Sequence, residues 1–424
     1  MNSTGDFQYF QGSSFSDLFA QDVTDARYAF ILNYPATATW AAYPNTNHYF
    51  LQDGSSEATK TSFDKICQKE PWKNLAVLGD TLPGIVISPI HRQLLHYWRE
   101  HFGFSYTNLE LIDCSTYLND LSQSDRIDQL ISLFPFDHLV FEKHAVNPDV
   151  HYRLLSKVTL AELGVQCPNY KSYNLHHISL EDLPLPEQFP YLIKTSHGLS
   201  GEGTYIIRNT SDRNYCLEEL KKYLDIHLLD EIIVSEFVHD AVQNYCVQFY
   251  INKAGDITLI GTTQQLVTPE GNYLGGLIHY QDTSMRKFFE MIRAIGSYAH
   301  QQGYFGVIGF DVLEDRDGQL YAIDANFRVN GSTPLCLQRH TLLGLGKEAA
   351  KYSSDYRMNG TLDSILTTLK PELEQKDFIV LSALEKVKYG TIYTEIYGIV
   401  AGETIEDIQR IEQRLQGKGL QLYR

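Results

Sequence analysis

The chain lacks the patterns that would place it in several large classes. Its six cysteines are scattered from Cys67 to Cys336 with no CxxC pair, which argues against a zinc site and a disulfide scaffold. No stretch approaches the roughly 18–20 uncharged apolar residues a membrane span needs. Met1 to Phe30 has no basic region followed by an apolar run, so it does not read as a secretory signal. Its polar first dozen residues read as a frayed terminus. Cations are in the minority, 35 Lys and Arg against 52 Asp and Glu, a formal charge of −17. That balance disfavours a sequence-independent nucleic-acid binder, which needs a basic surface. No internal repeat and no long low-complexity tract occurs. A reducing cytosol is the simplest location for such a chain.

What is present is ordinary globular composition, 43% hydrophobic and 21% charged, over 424 residues. That length suggests two to four subdomains. Apolar runs at Leu75–Leu78, Leu109–Ile112 and Leu139–Phe141 read as strands. Helical patterns lie between them, at Ile90–Trp98 and Asp125–Leu133, and this alternation favours a parallel sheet. One helix fits Val150 to Gly164, the glycine ending it. Tyr191 to Val267 is rich in strands, interrupted by a helix at about Cys216–Leu224. Met285–Gln301 reads as a helix, and Gly306–Leu313 and Leu320–Asp324 as strands joined by the polar turn Asp315–Gly318. Beyond Leu362, strands at Phe378–Leu381 and Thr391–Val400 and a helix at Ile405–Leu415 suggest a small α+β appendage.

Three constellations carry chemistry. The first is Lys194-Thr195-Ser196-His197-Gly198-Leu199-Ser200-Gly201-Glu202-Gly203, a strand ending in lysine that enters a glycine- and serine-rich loop before another strand. Glycines let backbone N–H groups turn toward an anion, and lysine supplies a point charge for phosphate oxygens. The loop is neither a Walker A loop nor a Rossmann fingerprint, and a plain glycine-rich hairpin is the alternative. The second is Asp311 with Asp324-Ala-Asn326-Phe-Arg328. If Asp315–Gly318 is a hairpin turn, Asp311 comes beside Asp324 and Asn326. Two acids and an amide supply the hard oxygen ligands that Mg2+ takes alongside phosphate oxygens. Arg328 would face the same centre, where a guanidinium suits a carboxylate or acyl phosphate; capping of a loop by Asp324 and Asn326 is the alternative. The third is Ile232–Val238, an apolar strand running into a linker. Its backbone could meet an adenine edge, although any core strand looks like this.

In order and spacing these elements resemble the ATP-grasp superfamily over roughly Leu75 to Leu343. The resemblance implies a mixed α/β and α+β ATP-grasp fold. Its parts would be an N-terminal region with a parallel α/β domain over 1–145, a central lobe with the flap over 146–240, a metal-bearing lobe over 241–360 and the appendage over 361–424. It implies that Lys194 contacts the α/β-phosphates and that the flap of Ser196, Gly198, Ser200, Gly201 and Gly203 covers them. Glu236 and Val238 would line adenine, while Asn244 stands where a ribose-contacting acid is usual. Asp311, Asp324 and Asn326 would hold Mg2+ (or Mn2+), and Arg328 and Lys194 would act in catalysis. Family members carry another ATP cation about eleven residues before the glycine of a Gly-x-x-x-Pro turn. That spacing from Gly164 selects Arg153, with Lys157 the nearest lysine. The stretch Asp324–Pro334 and the appendage resemble the peptide-ligase branch typified by the pheganomycin ligase.

The reaction implied is ADP-forming carbon–nitrogen ligation. A carboxylate is activated by ATP as an acyl phosphate and condensed with an amine, with amino acids or peptides as small-molecule substrates and a homodimer as a possible assembly. His197, Glu202 and His340 are candidates for a general base. Gln264, Gln265, His279, Tyr280, Arg339 and His340 are candidates for shaping the substrate pocket. A kinase acting on a hydroxyl, a ligase using a thiol or bicarbonate, and a non-catalytic nucleotide-binding module are the rival readings.

Overall fold

The computed structural model describes residues 7–33, 49, 68–113, 116–135, 138–198, 201–225, 229–282 and 284–423. Gln8–Tyr9 forms β1, and its Gln8 and Tyr9 pair in parallel with Thr258 and Leu259. The ring of Phe7 lies edge-on to Phe289. Residues 7–10 are therefore docked rather than frayed, because aromatic side chains find buried partners there; residues 1–6 lie outside the described part.

A first sheet runs in the order β4-β3-β2-β5, all parallel, from β2 (Tyr28–Ile31), β3 (Gly84–Val86), β4 (Leu109–Leu111) and β5 (Gln129–Ser132). All four residues of β2 are buried, as expected of a parallel strand covered on both faces. Three assignments differ from the sequence reading. Leu75–Leu78 ends the helix Glu70–Leu75 and its following turn, with Pro71 at the first helical turn, where its fixed φ suits a helix start. Gln129–Ser132 is a strand where a helix was expected, pairing in parallel with β2 and burying Leu130 and Ile131. Leu139–Phe141 lies in the 3-10 turn His138–Lys143.

A second sheet, in the order β6-β9-β7-β8, is antiparallel. It comprises β6 (Tyr170–Asn174), β7 (Tyr191–Thr195), β8 (Thr204–Ile207) and β9 (Glu231–Glu236). The helix Thr210–Asp225 buries Cys216 and Leu220. With Ile193, Ile207, Ile232 and Val234 these residues form a small core separate from the main one.

The third sheet has ten strands, with the main path β14-β13-β10-β11-β12-β15-β17-β16. It is built from β10 (Ala241–Ile251), β11 (Ile257–Val267), β12 (Tyr273–His279), β13 (Gly306–Asp315), β14 (Leu320–Asn326), β15 (Ala349–Asn359), β16 (Phe378–Lys388) and β17 (Thr391–Gly402). β1 joins at β11, and β18 (Gln421–Leu422) joins at β15. The strands beyond Leu362 thus hydrogen-bond into the same sheet that carries Asp311. Among the described residues no helix is long and apolar enough to cross a membrane.

His101 ends the helix Arg92–Phe102, its Nδ1 3.2 Å from the Tyr97 hydroxyl and its Nε2 buried without a partner. Burial, helped by nearby Lys376, pushes its pKa from 6.5 down to about 3. The unfolded chain takes up a proton there below pH 6.5 while the folded chain does not, so stability is lost as pH falls from 6.5 toward 3. We expect His101→Phe to flatten the acid side of the stability profile by up to about 1.4 kcal/mol per pH unit. Melting between pH 7.5 and 4.5 checks this, and an unchanged slope would contradict a neutral buried imidazole.

Candidate active site

The site begins with a hairpin. In the turn between β13 and β14 the Asp315 carboxylate accepts hydrogen bonds from the backbone N–H of Asp317 and Gln319, and Gly318 takes the left-handed conformation. The turn fixes a register in which Asp311 faces Asp324 and Gly309 faces Asn326, with an irregularity after Asp311. Directly opposed residues share one face of an antiparallel pair, and like charges so placed repel.

Burial and the charge of Asp324 push the Asp311 carboxyl up to about 7. Burial also works to raise Asp324, but Lys157, Lys194 and Arg328 outweigh it and hold that carboxyl below its ordinary value. Lys157 Nζ lies 3.0 Å from Asp324 Oδ2. Lys194 Nζ donates to the carbonyl of Ile323 at 3.1 Å. Burial lowers Lys194 to about 8, with Lys157 adding to the shift and the two acids opposing it.

Asn326 and Arg328 are buried beside the acids, and Arg328 Nη2 donates to Asn326 Oδ1 at 2.6 Å. Two carboxylates and an amide oxygen, one carboxyl held above its usual range by burial and by the charge of its neighbour, are a donor set that a divalent cation would relieve. Among the described residues no group of three or more His, Cys, Asp or Glu gathers as a metal site, here or elsewhere. Mg2+ bound with phosphate needs only one or two carboxylates, so the residues fit that ion.

Behind the hairpin lies a polar network the sequence did not reveal. Asn330 Nδ2 donates to the Arg328 carbonyl at 2.8 Å, and its N–H donates to Thr333 Oγ1 at 2.8 Å. Thr333 Oγ1 in turn donates to Gln248 Oε1 at 2.6 Å, and Gln248 Nε2 donates to Ser332 Oγ at 2.8 Å. A Cβ on Gly309 would stand 2.3 Å from Asn330 Nδ2, so glycine is required for this packing. The phenol of Tyr273 is buried nearby, and burial raises its pKa well above the ordinary value.

The glycine-rich loop turns β7 into β8, with Thr195 N–H donating to the Gly203 carbonyl at 2.8 Å. Gly201 and Gly203 both have positive φ, and a Cβ on Gly201 would meet the Gly271 carbonyl at 2.6 Å. A Cβ on Gly198 would meet the Glu202 carbonyl at 2.3 Å. The loop therefore packs against the turn before β12. Ser200 lies outside the described residues. Ser196 Oγ is 2.9 Å from His197 Nδ1, and His197 Nε2 is 2.9 Å from the Tyr152 carbonyl. The His197 ring stacks on Tyr152 at 3.9 Å. With both nitrogens engaged and burial pushing its pKa down to about 3, His197 is a structural pillar rather than a general base. His340 is exposed.

The single helix expected over Val150–Gly164 is broken at Ser156 into the helix Pro148–Leu155 and a 3-10 turn, Lys157–Leu163. Lys157 N–H donates to the Ser196 carbonyl at 2.9 Å, which aims its ammonium at Asp324. Arg153, favoured on spacing, points elsewhere: its guanidinium bonds to Gln302 and lies 3.8 Å from Glu162. Glu236 is exposed and accepts from Asn169 Nδ2 at 2.9 Å, and Val238 follows β9 half-buried. Asn244 lies on β10 opposite Leu313, two residues from Cys246, which pairs with Asp311. Its Oδ1 is buried and unpartnered. The structure thus gathers Asp311, Asp324, Asn326, Arg328, Lys194 and Lys157 at one centre and leaves Arg153 out.

The chain resembles known proteins in sequence and in fold. Residues 168–326 match the family model for L-aspartate–L-methionine ligase, ATP grasp. The [butirosin acyl-carrier protein]–L-glutamate ligase of Niallia circulans is 25% identical over 268 residues. That alignment covers 58% of this chain and 61% of the relative, so the chain spans about three fifths of the length of the curated relative it matches. Among solved structures, the L-amino acid ligase from Bacillus licheniformis superposes with a TM-score of 0.54 at 10% identity, covering 94% of this chain and 98% of that one. N5-carboxyaminoimidazole synthetase from Staphylococcus aureus, solved with ADP, gives a TM-score of 0.54 at 13% identity, covering 97% and 99%. At such identities the likeness establishes the fold.

The pair Asp311 and Asp324 leads to a stability prediction. A carboxyl raised to about 7 in the fold loses stability as pH rises from its unfolded value near 3.8 through 7. In EDTA at pH 8, Asp311→Asn should therefore melt roughly 2–4 °C above wild type, and the gain should vanish at pH 4. Equal melting at pH 8 would contradict the repulsion.

Proposed function

We propose, on the premise that this chain is an ATP-grasp protein of the peptide-ligase-like kind, that it is an ADP-forming ligase joining a carboxylate to an amine. The observation that carries the reading is the meeting of Asp311, Asp324 and Asn326 with Lys157, Arg328 and Lys194, the last at the start of a glycine-rich loop. Phosphoryl transfer asks chiefly for positioning and charge neutralisation, and a cage of cations and metal-ligating acids is suited to both.

Lys194 and Lys157 lie where phosphate oxygens of ATP would displace their present partners, the Ile323 carbonyl and Asp324. Asp311, Asp324 and Asn326 would hold Mg2+, which supplies charge neutralisation at the phosphates. Arg328, fixed by Asn326 and the Val329 carbonyl, orients the substrate carboxylate. A carboxylate oxygen attacks the γ-phosphorus and ADP leaves; the amine then attacks the acyl carbon and phosphate leaves, giving the amide. The loop from Ser196 to Gly203 excludes water from the acyl phosphate. Amino acids are the substrate class supported by the family description and by the names of the carrier-protein–glutamate ligase and the L-amino acid ligase. Glu236, Val238 and Asn244 are assigned to the nucleoside, with the bare Asn244 oxygen as the polar contact.

A screen of amino acids and their pairs for ADP release, with hydroxylamine as trap, tests the reaction. Formation of a hydroxamate is expected with the correct carboxylate, and Asp324→Ala and Arg328→Ala should each lower turnover at least about 100-fold. ATP consumption that yields a phosphorylated hydroxyl and no hydroxamate would make the protein a kinase instead. In the same assay Lys157→Ala should raise the KM for ATP at least about tenfold, whereas Arg153→Ala leaves it near wild type. The reverse order would restore Arg153 as the phosphate cation.

A further inference from the structure

Outside residues 168–326, a groove of about 630 Å³ opens where β15, β18 and the β16–β17 hairpin meet. Its centre is Arg357. The guanidinium lies between two tyrosine rings, 3.5 Å from the centroid of Tyr393 and 4.1 Å from that of Tyr423. The Nε of Arg357 is buried and has no hydrogen-bond partner among the described residues. Glu395, the residue opposite it on β17, is already held by Lys69 at 2.6 Å and Lys386 at 3.3 Å. Lys418 lines the groove and is paired with Glu372 at 2.7 Å. Lys388 lines it as well, exposed at the hairpin end beside Tyr389, which is 96% exposed.

These facts are unusual together. In a chain of net charge −17, no acid lines this groove among the described residues, and there Arg357 and Lys388 stand as cations without a carboxylate partner. Tyrosine faces on both sides hold the guanidinium flat, and a planar fork so fixed suits a carboxylate or phosphate group. Two surplus positive charges match the roughly −1.5 to −2 of a phosphate monoester better than the single charge of a carboxylate. Exposed Tyr389 offers an aromatic face to whatever carries the phosphate.

We propose that this groove is a second ligand site, separate from the Asp311–Asp324 centre, that binds a small phosphate monoester through Arg357 and Lys388. It does not depend on the ligase reading, and would stand if the chain catalysed another reaction.

The full-length protein, with its nucleotide centre saturated by MgADP, is titrated calorimetrically with phenyl phosphate, inorganic phosphate and benzoate. Phenyl phosphate should bind one to one, inorganic phosphate more weakly, and benzoate at least tenfold more weakly. Arg357→Ala should weaken phenyl phosphate at least tenfold, and Arg357→Lys, which keeps the charge without the fork, should not restore it. Lys388→Glu, at an exposed position that the fold does not need, should weaken binding several-fold. Turnover of ATP in the absence of these probes should be unchanged in all three variants. Benzoate binding as tightly as phenyl phosphate would overturn the choice of phosphate. No binding to wild type, or equal binding to wild type, Arg357→Ala and Lys388→Glu, would remove the site.

Discussion

Two carboxylates, Asp311 and Asp324, face each other across adjacent antiparallel strands, and the surrounding residues are arranged to hold that repulsive pair in register. Opposed like charges in a sheet weaken it, so something must compensate. Part of the compensation is electrostatic: Lys157 and Lys194 arrive from two other segments, and Arg328 from the loop that follows. The rest is mechanical. β13 is paired along its length with β10, and β14 is pinned by a turn whose Asp315 side chain satisfies two backbone donors. Strain retained at such a point in an otherwise well-packed sheet is a common feature of functional sites.

The elements that deliver the cations explain much of the remaining architecture. The chain breaks at Ser156, and the Lys157 N–H is tied to the Ser196 carbonyl, so the first residues of the glycine-rich loop and Lys157 are held together as one unit. His197, wedged between Ser196 and Tyr152, is neutral by burial and works as a spacer in that unit. The second sheet has its own small core, and its loop touches the central sheet at Gly271 through a glycine that admits no side chain.

Much of this centre was legible in the sequence because it is local. Asp311, a polar turn, and Asp324-x-Asn326-x-Arg328 fall within eighteen residues, and strand alternation alone brings them together. Lys194 was legible because it ends an apolar strand before glycines. The cation beside Asp324 was not, since spacing pointed to Arg153 on an assumed continuous helix whereas Lys157 lies there. The break at Ser156 depends on a bond to Ser196, forty residues away in sequence. The network joining Gln248 to Ser332 and Thr333 spans more than eighty residues and leaves no periodic trace. Nor did composition reveal that β16 and β17 extend the central sheet through β15, because each strand looks the same whether it closes a separate appendage or adds to an existing edge.

The central claim is that the opposed acids receive a divalent ion together with a nucleotide. Calorimetric titration of ADP into the protein, with and without Mg2+, tests it most directly. Mg2+ should strengthen ADP binding to wild type at least tenfold, and the increment should disappear in Asp324→Asn while metal-free ADP binding persists. Equal ADP affinity with and without Mg2+ in the wild type, or an undiminished Mg2+ effect in Asp324→Asn, would contradict it.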